Sequence, residues 1–213
     1  MQHPKRKQGQ PMRVSVAGVG VGVLFAYGEE GDFYRGYEIS PEVLNVATNP
    51  SLFSFITDSP AEVDLVFGDA RKELETERNA HEPRYDVIYI DAFSGDNLPR
   101  HLSTKEAFQL YFDRLAPDGI LAVNISNRYM DLSPLMKSVA EAFDYRVLLL
   151  RQQSDEEKLR SGSVWAFFMK SPPKDFSFPP DARTRDIRTV RDFTLPEDDQ
   201  GSFLSLIQWP WNN

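Results

Sequence analysis

Hydrophobic and polar positions along this chain switch repeatedly between a period of two and a period near 3.6. From Arg13 an apolar run, "RVSVAG", leads into a glycine-containing loop and a short helix, and a second strand follows at "FYRGYEI". Ser40 with Pro41 predicts a helix start, an N-cap followed by proline at the first helical position, and Asn49-Pro50 predicts its stop. After a loop with Pro60, "EVDLVFGDA" is a third strand ending in Gly68-Asp69-Ala70, and "YDVIYIDAF" is a fourth. "STKEAFQLYFDRLAPDG" carries a capping-box pattern, Ser103 with Glu106, and an inner face of Ala107, Leu110, Tyr111 and Leu115, with Pro117 to Gly119 as its end. "ILAVNIS" is a fifth strand, "SPLMKSVAEAF" a helix with Leu135, Met136, Val139, Ala140 and Phe143 inward, and "YRVLLLR" and "SVWAFFMK" two further strands.

Strands alternating with helices predict an α/β fold. Runs such as "VIYI" and "LAVNI" are apolar on both faces, as in a mostly parallel sheet covered by helices on both sides, a doubly wound Rossmann-like arrangement. Ligands of such sheets sit beyond the carboxyl ends of the strands, where the strand order reverses. In the usual order the first and fourth strands are neighbours across that reversal. The glycine loop and the residues after Ile90 then face one crevice.

The domain is expected over 13–170. Residues 1–12 are polar and basic without an apolar period and read as a disordered lead-in. Residues 171–213 read as a proline-rich tail in which "SFLSLIQW" packs back on the domain edge. Within it, Trp209 and Trp211 suit packing better than a dimer contact.

Composition narrows the classes. The 213 residues are 41% hydrophobic and 26% charged, ordinary for a globular chain. A net charge of −8 argues against a nucleic-acid partner, because phosphate tracking needs a basic surface, and it opposes no cationic ligand. With no cysteine there is no disulfide, thiolate metal site or cysteine nucleophile. His3, His81 and His101 lack metal-ligand spacing, so no metal is expected. The apolar runs are strand-sized and nothing near Met1 resembles a signal peptide, so the expectation is a soluble, cytoplasmic protein without a membrane segment, with a homodimer left open.

The chemistry gathers at the predicted strand ends. Gly18, Gly20 and Gly22 allow a tight turn and close approach of a ligand to the backbone, and the following helix start adds N–H donors. A dinucleotide fingerprint would place its third glycine where Val23 stands; Gly22 comes one residue earlier, which favours an adenosine thioether or sulfonium cofactor over NAD. A purely structural turn is the alternative. Glu38, followed by Ile39 and twenty residues after Gly18, ends the second strand where an acid accepts from a ribose diol, or where it is simply solvated. Asp69 is placed to accept from an adenine amino group, with the Ala70 N–H donating to a ring nitrogen, or to cap a helix. In "DAFSGD", Asp91 and Asp96 are the catalytic candidates: two carboxylates able to hold an ammonium group and remove its proton, with an Asx turn as the alternative. Asn127, Arg128 and Tyr129, after the fifth strand, read as a polar loop, with a lining of the acceptor site as the alternative.

Together "VAGVGVG", "YEIS", "FGDA", "YDVIYIDAFSGD" and "LSTKEAFQLYFDRLAPDGILAVNISNRYMDL" resemble the catalytic domain of the spermidine synthase family, and more closely its bacterial spermidine-synthase-like branch. The resemblance runs from about Arg13 to Lys170. It implies a seven-stranded methyltransferase-like Rossmann fold with the last strand antiparallel. It also implies aminopropyl transfer from decarboxylated S-adenosylmethionine to an amine such as putrescine, leaving methylthioadenosine. Carried onto this chain, Gly18, Gly20 and Gly22 match the cofactor loop, Glu38 the ribose acid, Asp69 and Ala70 the adenine contacts, and Asp91 the base. Val21 and Ser94 stand where the family carries aspartates, leaving Asp96 as the stand-in, and the family's amino-terminal hairpin domain has no counterpart before the first strand. Two other readings stay open: a methyltransferase using intact S-adenosylmethionine, although Val16 replaces its usual acid, and a non-catalytic homologue keeping only the fold.

Overall fold

The β-branched and aromatic runs form the strands, and alternation decides which faces are buried. The computed structural model describes residues 3–92, 98–155, 157, 161–171, 183–187, 191–203 and 206. In chain order its elements are α1 (Pro4–Lys7), β1 (Arg13–Ala17), β2 (Phe33–Glu38), α2 (Pro41–Ala47), β3 (Glu62–Phe67), α3 (Ala70–Asn79) and β4 (Tyr85–Ile90). There follow α4 (Lys105–Arg114), β5 (Leu115–Asn124), α5 (Ser133–Phe143), β6 (Arg146–Gln152), β7 (Ser163–Met169) and β8 (Arg183–Asp186). Short 3-10 turns occupy Val23–Tyr27 and Arg100–Leu102.

The strands form one sheet in the order β3-β2-β1-β4-β5-β7-β6-β8. From β1 the chain steps outward through β2 to β3, then returns to β4 on the other side of β1, so the order reverses between β1 and β4. The pairs β1/β2, β1/β4 and β2/β3 are parallel, and β7 runs antiparallel to β6. This is the Rossmann-like methyltransferase arrangement. The short β8 adds to the expected seven strands, antiparallel on β6.

Two compact units divide the chain. The first comprises residues 2–92 and 110–121. Its apolar cluster joins Val14 and Val16 of β1, Tyr34 of β2, Val87 of β4, and Phe25 and Ala47, all nearly solvent-free. Beside it a polar network is buried: the Glu77 carboxylate of α3 accepts from the hydroxyls of Tyr37 and Tyr85 and from the guanidinium groups of Arg35 and Arg114. Arg114, only 2% exposed, also donates to Glu82 O and Pro83 O. A buried ion pair survives loss of water only when its remaining hydrogen-bonding capacity is filled, and here it is.

The second unit comprises residues 93–109 and 122–213 with Met1. There α5 buries Leu135, Met136, Val139 and Ala140 as expected, while Phe143 is half-buried. Phe108 and Phe168 meet ring to ring at 5.9 Å, and Leu206 is buried, its carbonyl accepting from Asp131 N–H. Leu206 lies in the predicted tail segment; Trp209 and Trp211 lie outside the described residues.

Four local expectations change. Residues 3–12, expected to be disordered, are ordered. Pro4–Lys7 forms a helical turn, Arg6 pairs with the buried Asp32, Lys5 with Asp86 at 2.7 Å, and His3 Nε2 lies 3.1 Å from Asp118 O. The basic residues that read as a solvated tail are counterions for acids far along the chain. Helix α4 starts one residue later than the capping box implied, with Thr104 Oγ1 accepting from Ala107 N–H, whereas Ser103 donates to Pro99 O and Arg100 O. Glu106 accepts instead from Asp198 N–H. Finally, β5 begins at Leu115 rather than at Ile120, taking in Pro117 to Gly119. Arg114, held by its three partners, ends the helix there, and a Cβ on Gly119 would lie 3.1 Å from Tyr85 O.

Candidate functional site

Backbone pairing continues one residue past the strands at the carboxyl edge of the first unit. Gly18 N–H donates to Tyr37 O, Gly68 N–H to Glu38 O, and Asp91 N–H to Ala17 O. The residues following β1, β3 and β4 are thus locked in register with the ends of β2 and β1 along one edge, with neighbouring strands about 4.8 Å apart. That edge carries Gly18, Glu38, Asp69 and Asp91.

The glycine loop is shaped by close approach. Gly18 has φ +91°, and a Cβ there would stand 2.5 Å from Asp91 O. The loop after β1 and the backbone after β4 therefore touch, which any larger residue would prevent. Gly20, at φ +54°, faces open space, with nothing within 4 Å of the position a Cβ would take. Gly22 packs on Ile56 and caps the 3-10 turn Val23–Tyr27, which replaces the expected short helix.

Glu38 is tied to this loop. One carboxylate oxygen accepts from Val19 N–H at 3.2 Å and the other from Ser40 N–H at 3.1 Å, linking the loop after β1 to the N-terminus of α2. As predicted, Ser40 caps α2 by accepting from Val43 N–H, with Pro41 as its first residue. Ile39, the next residue after Glu38, is 68% exposed, and Phe67, in register with Glu38 at the end of β3, is 62% exposed. These are large apolar side chains left open beside polar groups, a surface suited to the face of a planar ring.

Asp69 caps α3: its carboxylate accepts from Lys72 N–H at 3.1 Å. The helix-cap reading therefore holds, and a carboxylate with two oxygens retains further acceptor capacity. Ala70 is the first residue of α3, a position whose N–H has no acceptor within its helix. Asp91 is half-buried directly after β4. Asp96 lies outside the described residues, as does Ser94. No group of three or more His, Cys, Asp or Glu residues among the described residues is arranged to hold a metal ion.

Two features of this unit were not read from the sequence. The Glu77 network pins Tyr37, whose carbonyl receives Gly18, and so supports the edge from beneath; within "ELETERN" Glu77 looks like any solvated helix residue. Burial would raise the Glu77 carboxyl, but the hydrogen bonds from Tyr37, Arg35 and Tyr85 outweigh it and hold the group below its ordinary value. The same network and burial push the Tyr37 hydroxyl up, leaving it a donor. Phe67 was the other omission, hidden in an apolar strand pattern.

An open glycine position, an acid tied to the glycine loop, a capped helix start and a second acid are arrayed along the carboxyl edge beside the strand reversal of a Rossmann-like sheet. Residues 44–130 match the family described as S-adenosyl-L-methionine-dependent methyltransferase. A probable polyamine aminopropyl transferase from Bifidobacterium longum is 32% identical over 69 residues, 32% of this chain and 15% of that protein. The chain thus matches a small part of that relative's length. A probable spermidine synthase from Corynebacterium glutamicum superimposes with a TM-score of 0.64 at 19% identity, over 96% of this chain and 78% of that one. Human methyltransferase-like protein 13, solved in complex with SAH, gives a TM-score of 0.61 at 22% identity, over 83% and 79% of the two chains. The fold is the methyltransferase-like Rossmann fold shared by these solved neighbours, and the likeness to a polyamine aminopropyl transferase in sequence covers a small part of the chain.

Proposed function

We propose that the first unit binds an adenosyl sulfonium co-substrate and that the protein transfers an aminopropyl group from decarboxylated S-adenosylmethionine to an amine. The contact between Gly18 and the Asp91 backbone carries this reading, because it sets a candidate base at the same loop as the nucleoside floor. In it, Glu38 accepts from the ribose hydroxyls, Ile39 lies against the adenine, Asp69 and the Ala70 N–H read the adenine edge, and Gly20 admits the ligand close to the backbone.

Asp91 supplies the proton chemistry. An alkyl amine with pKa near ~10 is about one part in a thousand unprotonated at pH 7, so removal of a proton by a positioned carboxylate makes it a nucleophile. The nitrogen lone pair then attacks the methylene beside the sulfonium in line. The new C–N bond forms as the C–S bond breaks, and the electron pair returns to sulfur as neutral methylthioadenosine. No covalent enzyme intermediate is needed, and most of the acceleration comes from positioning and charge placement. Asp96, five residues after Asp91 in the sequence, is the second proposed carboxylate.

Methyl transfer from intact S-adenosylmethionine is the second reading, favoured by the family match over residues 44–130. Incubation with decarboxylated S-adenosylmethionine and putrescine, and separately with S-adenosylmethionine and the same amine, decides between them. Amine-dependent release of methylthioadenosine supports aminopropyl transfer; release of S-adenosylhomocysteine alone replaces it with methyl transfer.

A further inference from the structure

The second unit contains an open cleft of about 780 Å³ that the nucleoside site does not use. It lies among the end of β5, the loop after it, the end of β6 and the start of β7, and its lining includes Asn124, Asn127, Arg128, Arg151, Gln152 and Ser154. No aspartate or glutamate is among the described lining residues. In a chain of net charge −8, two cations and no carboxylate among the described lining residues run against the average.

The loop that presents Arg128 is held in place. Asn127 Oδ1 accepts from the N–H groups of Tyr129 and Met130, both at 2.8 Å, folding the backbone around Arg128. Ser126 Oγ accepts from Val164 N–H at 2.9 Å, and Ile125 N–H donates to Val164 O at 2.8 Å, fastening the loop to β7. Arg151 is exposed on β6. Among the described residues neither Arg128 nor Arg151 has an ion-pair partner. The other polar side chains among the described lining residues are amides and hydroxyls, which orient a polar ligand without repelling negative charge. Guanidinium groups bind carboxylate and phosphate oxygens through paired N–H donors, so this set matches an oxyanion and opposes an amine.

We propose that this cleft binds a small, polar, oxyanion-bearing molecule, a carboxylate or a phosphate of metabolite size, through Arg128 and Arg151. The proposal does not depend on the nucleoside site. Its test is calorimetric titration of the full chain with inorganic phosphate, with succinate, and with putrescine as the cationic control, repeated on R128Q, R151Q and the double variant. Saturable one-to-one binding of either anion is expected, weakened about tenfold or more by each substitution and by added salt. Phosphate binding alone and succinate binding alone both support the proposal and assign the oxyanion. Absence of saturable binding by both anions, unchanged binding in the double variant, or tighter binding of putrescine than of both anions overturns it. Both arginines are exposed, so the variants are expected to melt close to the parent, and methylthioadenosine affinity, measured in parallel, is expected to be unchanged.

Discussion

Gly18 and Gly20 are two residues apart and have opposite surroundings. Alanine at Gly18 meets Asp91 O at 2.5 Å in a left-handed conformation, and Gly18→Ala is expected to cost about 2–4 kcal/mol, read as a lower denaturation midpoint. Gly20→Ala meets nothing, so only backbone strain of about 1–2 kcal/mol applies. The added methyl group would occupy the approach proposed for the ligand, so affinity for methylthioadenosine is expected to fall more than stability. Equal melting points for the two variants would contradict this account of the loop. For Asp91, substitution by asparagine keeps size and removes the base: transfer is expected to drop by about 10²–10⁴-fold while methylthioadenosine affinity stays within about twofold. Unchanged turnover would remove Asp91 from the mechanism.

At the scale of elements, α3 connects stability to pH. Glu77 joins β2, β4 and the end of α4 by accepting from Tyr37, Tyr85, Arg35 and Arg114. Its folded-state pKa is lowered from the ordinary 4.5, so its contribution is fully present above 4.5 and is lost as pH falls through the depressed value. Asp32 acts in the same direction: burial alone would raise it, but Arg6 and the N–H groups of Glu29 and Met12 hold it below its ordinary value of 3.8. Glu77→Gln leaves Arg114 buried without its counterion and is expected to cost about 3–5 kcal/mol. Its melting temperature should also change less than the parent's between neutral pH and acid. Parallel pH profiles for the two proteins would show that Glu77 does not carry this dependence.

At the scale of the molecule, the sheet was legible because each βα unit announces itself locally, by an apolar run, a glycine or proline stop, and a cap such as Ser40. The strand-end positions of Glu38, Asp69 and Asp91 were legible for the same reason: each lies at or just past the end of an apolar run. Long-range pairing was not legible. Lys5 and Arg6 looked like a solvated tail, yet their partners, Asp86 and Asp32, lie dozens of residues away. Glu77 is one of several acids in a charged helix and becomes special only when Arg114 arrives. Thr104 took the cap from Ser103 because Ser103 turns to carbonyls of the preceding 3-10 turn. The arginine-lined cleft is assembled from the ends of β5, β6 and β7 and has no signature in any one of them.

The central claim is that the carboxyl edge of β1 to β4 is a floor for an adenosyl group. Calorimetric titration of the parent and of Glu38→Gln with decarboxylated S-adenosylmethionine, S-adenosylmethionine and methylthioadenosine tests it most directly, with melting curves to check that the variant is folded. Saturable one-to-one binding of at least one of these by the parent, weakened about tenfold or more in the variant, is the predicted result. No binding of any of the three, or equal affinity in the two proteins, would contradict it.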